Sequence, residues 1–232
     1  MAKYFVNGRL TVRAALYLSA FCISLVMGFS APLTVNYFIS HVTPTLIASL
    51  GIVLKLVGIL VSYIKQSKIA IRYISQNFMT GMIICDILFL ILAIFGEANP
   101  EMRYVGYNLI CAGGIKLLQV VRHDNTANCL KGTSIIAFNA KCDTCGLIAN
   151  LLGASCYLVI SNMVILSVTQ CMFIECIGCA FGHWMQLYAN RRIKKDILKN
   201  KLPEYTMIDV LNDLVRVKNN KVEDKEDNIF DQ

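Results

Sequence analysis

The chain reads as an all-α integral membrane protein, a bundle of about six transmembrane helices. Both termini are expected in the cytoplasm, and a short amphipathic helix is expected in the cytoplasmic tail. Three observations point there. Apolar residues make up 56% of the 232 and charged residues only 16%, where a soluble domain carries about a quarter charged. The charge is also unevenly spread, since 19 of the 37 Lys, Arg, Asp and Glu residues follow Asn190. Finally, the charges before Asn190 fall almost entirely between long apolar runs, the pattern of spans joined by short loops.

At roughly 20 residues per span, the sequence divides into a transmembrane domain over 1–190 and a tail over 191–232. The first span is expected at about 12–33, and its apolar run exceeds the usual core of a cleaved signal peptide. The second, 44–64, opens on Pro44, which suits a helix start because its missing N–H is not needed there. The third, 78–95, closes at Gly96 ahead of Asn99-Pro100. The fourth is expected at about 104–121. The apolar block Leu147–Tyr188 is long enough for two more, at about 147–160 and 163–188. Ser161-Asn162 is the leading turn between these two, and Ser167–Gln170 the alternative.

Loop charge sets the orientation. Lys3, Arg9 and Arg13 precede the first span, Lys65, Lys68 and Arg72 follow the second, and Arg122, Lys131 and Lys141 follow the fourth. Arg191, Arg192, Lys194 and Lys195 follow the sixth. The intervening loops hold one Arg and no Lys. Basic residues gather on one side at every crossing, which by the positive-inside rule places both termini in the cytoplasm.

Ionisable residues within spans are costly and tend to face protein or water. Lys55, Asp86 and Glu175 lie near the middles of spans two, three and six. Their neighbours form stripes at helical spacing. Gly51, Lys55, Gly58 and Ser62 share a face, as do Cys171, Glu175, Gly178, Gly182 and Gln186. Asn108 and Asn150 lie on similar stripes in spans four and five. Gly178 and Gly182, like Gly51 and Gly58, suit close helix packing, and a homodimer contact is one use of it. The expectation is that Lys55, Asp86 and Glu175 converge on a polar pathway, joined by Asn108 and Asn150. Two acids and one base then leave one carboxylate without a cation at its depth, able to carry a proton or bind a cation. The alternative is that Lys55 clamps one acid and the other is simply protonated.

Seven of the ten cysteines lie inside apolar runs, where a thiol behaves as a small hydrophobe. Cys142-Asp-Thr-Cys145, with His123 and Cys129, gives four candidate zinc ligands, at a spacing unlike that of a standard finger, so no metal or other cofactor is expected. A second pair, Cys176 and Cys179, lies in the apolar interior of span six. In the tail, Arg191–Lys201 holds six basic residues suited to anionic lipid headgroups. A capping-box-like Thr206 then opens a short amphipathic stretch. The segment from Val222 is acidic.

No P-loop, HExxH or GxSxG motif occurs, so an enzyme is not expected, and the basic charge reads as membrane topology rather than nucleic-acid binding. The function expected is a small transporter or permease for a small polar solute or ion, with proton coupling through the carboxylates as one mode of it. One alternative is a membrane-embedded accessory or assembly protein that meets a membrane-protein partner. A second alternative is a thiol- or zinc-dependent membrane protein.

Overall fold

A computed structural model describes residues 5–6, 9–64, 67–129 and 133–199. The elements are a two-residue antiparallel pairing of β1 (Phe5–Val6) with β2 (Arg9–Leu10) and six long helices. These are α1 (Val12–His41), α2 (Pro44–Ile64), α3 (Lys68–Phe95), α4 (Pro100–Cys129), α5 (Thr133–Ser161) and α6 (Val168–Leu198), with a 3-10 turn at Gly96–Ala98. Four of the long helices, α1, α2, α3 and α5, have windows long and apolar enough to cross a membrane. The described residues are therefore nearly all helical and include the helices of a membrane protein.

Short polar side chains set the helix starts, each satisfying an amide that the first turn leaves without an intrahelical partner. Thr11 accepts from the Ala14 amide at 3.3 Å and opens α1. Asn99 accepts from Met102 at 3.0 Å ahead of Pro100. Ser167 and Gln170 form a reciprocal capping box at the head of α6. α5 ends at Ser161 and the chain turns through Asn162, so the connection to α6 is flanked by the two polar pairs that suggested a turn.

Several helices run well past the spans read from the sequence. The stretch from Arg122 to Lys141, read as a loop, is helical at both ends: α4 continues to Cys129 and α5 starts at Thr133. Polar side chains pair across the two helices there. Arg122 pairs with Asp143 at 2.6 Å, and Thr126 donates to the Arg122 carbonyl at 2.6 Å and to Asn139 at 3.5 Å. Facing each other, these pairs join α4 to α5, with Asp143 itself on the exposed side. The amphipathic segment expected near Thr206 lies outside the described residues.

α1 is the central helix, packed against both α5 and α6. Glycines make that closeness possible. A Cβ on Gly153 would strike the Leu25 carbonyl, and one on Gly28 the Asn150 carbonyl. Gly178 and Gly182 of α6 lie against Val26 and Ile23 of α1 in the same way. α1 also carries Pro32, which withholds an amide from the Gly28 carbonyl. Hydroxyls bond the backbone around it: Ser30 to the Met27 carbonyl at 3.3 Å and Thr34 to the Ser30 carbonyl at 2.9 Å. This is a usual way for helices in apolar surroundings to tolerate proline.

Apolar clusters stack along the bundle. Ala15, Leu16, Ala127, Ile135, Phe138 and Ala189 form one at the end where α1 begins. Ile23, Phe78, Met82, Leu118 and Val121 lie in the middle. Phe89, Ala93, Met172 and Cys176 form the cluster at the opposite end. The outer faces of α2, α3 and α5 expose Ile52, Leu56, Leu60, Ile87, Leu147 and Leu151, a surface suited to lipid rather than water.

Candidate functional site

Glu175 is fully buried, on the face that α6 turns to α1 and α4. Ser30 of α1 donates a short hydrogen bond to Oε2. The Tyr107 hydroxyl of α4 lies 3.1 and 3.2 Å from the two carboxylate oxygens, and the Cys111 thiol 3.9 Å from Oε1. The local sequence explains the convergence. Tyr107 and Cys111 are one turn apart on α4, and Ser30 is turned inward in the hydroxyl-bonded segment around Pro32. Three neutral donors meet the carboxylate, and no salt bridge to it occurs among the described residues.

A second pair lies further along α6. His183 Nδ1 is 2.8 Å from Asp86 Oδ1 of α3, and the Cys176 thiol is 3.8 Å from the Asp86 carbonyl. His183 lies two turns beyond Glu175. Between the two sites is a small cavity of about 30 Å³, lined by Asp86, His183, Cys85, Cys111 and Cys179 among others. That volume holds about one water molecule. Cys111 both lines the cavity and touches Glu175, so Glu175, Cys111, the cavity and the half-buried Asp86–His183 pair form one connected run, walled on its other sides by Ile23, Met27, Phe89 and Ile110.

The two ends of this run differ. On the side of the α3–α4 turn, aromatic rings close it. Phe38 packs on Tyr104 and Tyr107 at centroid distances of 5.1 and 5.7 Å, and Phe89 lies 5.7 Å from Tyr107. Arg103 is buried there and fully committed. Its guanidinium donates to the Ala93 carbonyl at 2.8 Å and to Thr169 at 3.0 Å, and it lies over the Tyr37 ring at 5.9 Å. It caps the carbonyl end of α3, where a cation suits the helix dipole. Toward the end where α1 begins, polar groups continue instead. Gln186, one turn beyond His183, is fully buried and neither of its amide atoms has a partner among the described residues. The Nδ2 atoms of Asn125 and Asn139 are likewise buried without one. Buried amides of this kind bind internal water in native proteins.

The residues singled out from the sequence are therefore placed in different surroundings. Glu175 is fully buried beside the small cavity, and Asp86, half-buried, lines it. Lys55 does not join them. It lies exposed on α2, which packs mainly on α4, with no side-chain partner among the described residues. Asn108 donates to the Tyr104 carbonyl of its own helix at 2.9 Å, and Asn150 is exposed on α5; neither lines the cavity. Gly178 and Gly182 are filled by α1 of the same chain, whereas Gly51 and Gly58 have nothing near them. Cys142 is buried and Cys145 half-buried on α5, the side chain of Cys129 lies outside the described residues, and His123 is half-buried on α4. No three His, Cys, Asp or Glu groups gather as a metal site among the described residues. Sequence reasoning missed His183, Tyr107 and Ser30. For His183 a signal existed, since it extends the Glu175–Cys179 spacing by one more turn. No family model, curated protein or solved structure matches the chain.

Proposed function

We propose that the chain is a small polytopic transporter that moves a small polar solute or ion across a membrane, with proton coupling at Glu175 and Asp86. In this reading all six helices cross the bilayer and both termini lie on the cytoplasmic side. α4 and α6 contain 30 and 31 residues, about 45 Å at 1.5 Å per residue, against a hydrocarbon core of about 30 Å. They are less apolar than the other four because Arg103, Glu175, His183 and Gln186 are shielded by neighbouring helices, a usual setting for polar residues within a membrane.

One observation carries the proposal: a fully buried carboxylate met by hydroxyl and thiol donors and, among the described residues, by no cation. Purely structural buried charges are normally paired with an opposite charge. Glu175 has neutral partners, and the adjoining cavity admits about one water, so a proton is the cation that suits the space. The test is flux in liposomes containing the purified protein and a trapped pH dye, under an imposed pH gradient. Wild-type protein is expected to pass protons together with a small solute, and Glu175→Gln to fold but lose that movement. Equal movement in both would overturn the proposal.

Lys55 favours a second reading, a membrane-embedded accessory or assembly protein. An exposed ammonium midway along an apolar helix is costly in lipid unless it snorkels or meets an acid from another protein. Loss of a co-purifying membrane partner in Lys55→Leu, with no flux detected in wild type, would support this reading over transport.

A further inference from the structure

A groove lies away from the Glu175–Asp86 run, along the outer face of α6. It has a volume of about 730 Å³ and is lined by Leu10, Trp184, Leu187, Tyr188, Arg191 and Lys195, with Met185, Arg192, Asp196 and Lys199 completing it. Its chemistry changes along the helix axis. Ile177, Phe181 and Trp184 lead into it as exposed apolar side chains on successive turns. Trp184 and Phe181 pack with centroids 5.9 Å apart. Beyond Tyr188 the same stripe becomes basic, with Arg191, Lys195 and Lys199 at intervals of four residues and therefore on one face.

The basic side chains are not equally available. Arg192 donates to the Leu10 carbonyl at 2.6 Å and to the Tyr188 hydroxyl at 3.0 Å, so it forms part of the wall. Among the described residues Arg191 reaches only the Met79 sulfur, at 3.1 Å, a poor acceptor that leaves most of its donors unused there. Lys195 has no side-chain partner among the described residues. Asp196 is the one acid in the lining.

We propose that this groove binds one anionic phospholipid, with its phosphate between Arg191 and Lys195 and its acyl chains along Trp184 and Phe181. The occupant follows from charge and depth together. Trp184 and Tyr188 are residue types favoured where hydrocarbon meets headgroups. Trp184 and Lys195 are about 16 Å apart along the axis, so the apolar and cationic ends match the acyl and phosphate levels of one lipid. Juxtamembrane basic clusters attract anionic headgroups, and the guanidinium fork of Arg191 suits a phosphate. This site requires the chain to lie in a membrane but does not depend on transport.

Trp184 is the chain's single tryptophan, so its fluorescence reports the groove directly. The full-length protein is placed in bilayers doped with lipids brominated on the acyl chains. Brominated phosphatidylglycerol is expected to quench Trp184 at a roughly tenfold lower mole fraction than brominated phosphatidylcholine. Arg191→Gln/Lys195→Gln is expected to abolish the difference with unchanged helical circular dichroism. Should that pair not fold, Lys195→Gln alone must still lower the preference. Equal quenching by the two lipids in wild type would overturn the proposal, as would a preference that survives the substitutions. A preference that emerges only after neutralising Glu223, Asp224, Glu226 and Asp227 would also overturn it, by assigning the groove to the chain's own acidic tail.

Discussion

α2 and α6 carry nearly the same sequence pattern and meet opposite fates. Each has an ionisable residue and glycines at helical spacing on the same face: Gly51, Lys55 and Gly58 in one, Glu175, Gly178 and Gly182 in the other. In α6 the glycines are closed by Val26 and Ile23 of α1, and the carboxylate is enclosed by Ser30, Tyr107 and Cys111. In α2 both glycines face open space and Lys55 is exposed. A stripe of small and polar residues thus marks a face able to pack closely. Whether it does so depends on a partner elsewhere in the chain with a matching surface, and α1 provides one only for α5 and α6.

Substitutions at the two stripes should separate them sharply. The largest effect is expected at Gly182→Leu. Added bulk there meets Ile23 and the Ser19 carbonyl 3.2 Å from the Cβ position, and overpacking of this kind costs about 1–3 kcal/mol or more. Loss of folded protein in detergent, seen by size-exclusion chromatography and thermal unfolding, checks it. Next comes Arg103→Leu, which leaves the Ala93 carbonyl and the Thr169 hydroxyl without their donor. A buried group stripped of its partner costs about 1–3 kcal/mol, so a clear drop in melting temperature is expected with helix content retained.

Glu175→Gln should be milder for stability, because the amide keeps an acceptor for Tyr107 and Ser30. Its thermal midpoint is expected to stay near wild type while proton movement disappears. Asp86→Asn should keep a hydrogen bond to His183 and likewise affect flux more than folding. The smallest effect is expected at Gly58→Leu, within about 0.5 kcal/mol, since nothing lies near that position. A large destabilisation at Gly58, or none at Gly182, would break the contrast between the helices.

Much of the architecture was legible in the sequence because apolar runs and their caps are local signals. The helix start at Pro44, the end of α3 ahead of Gly96 and the two polar pairs flanking the α5–α6 connection all follow from residues a few positions apart. Less legible were features that depend on pairing at long range. Arg122 reads as a loop cation until Asp143, 21 residues later, is seen opposite it. His183 reads as isolated until α3 brings Asp86 to it, and Ser30 as a small packing residue until α6 brings Glu175. Lys55 and Glu175 carry equivalent local signals, so only the tertiary arrangement distinguishes an enclosed charge from an exposed one.

The measurement that bears most directly on the account is infrared difference spectroscopy of the carboxyl band during a pH titration in lipid. If Glu175 exchanges a proton within the bundle, wild-type protein will gain and lose a protonated-carboxyl band that is missing in Glu175→Gln. A pH-dependent band of unchanged intensity in Glu175→Gln, or no such band in wild type at any pH, would contradict a proton-carrying role for Glu175.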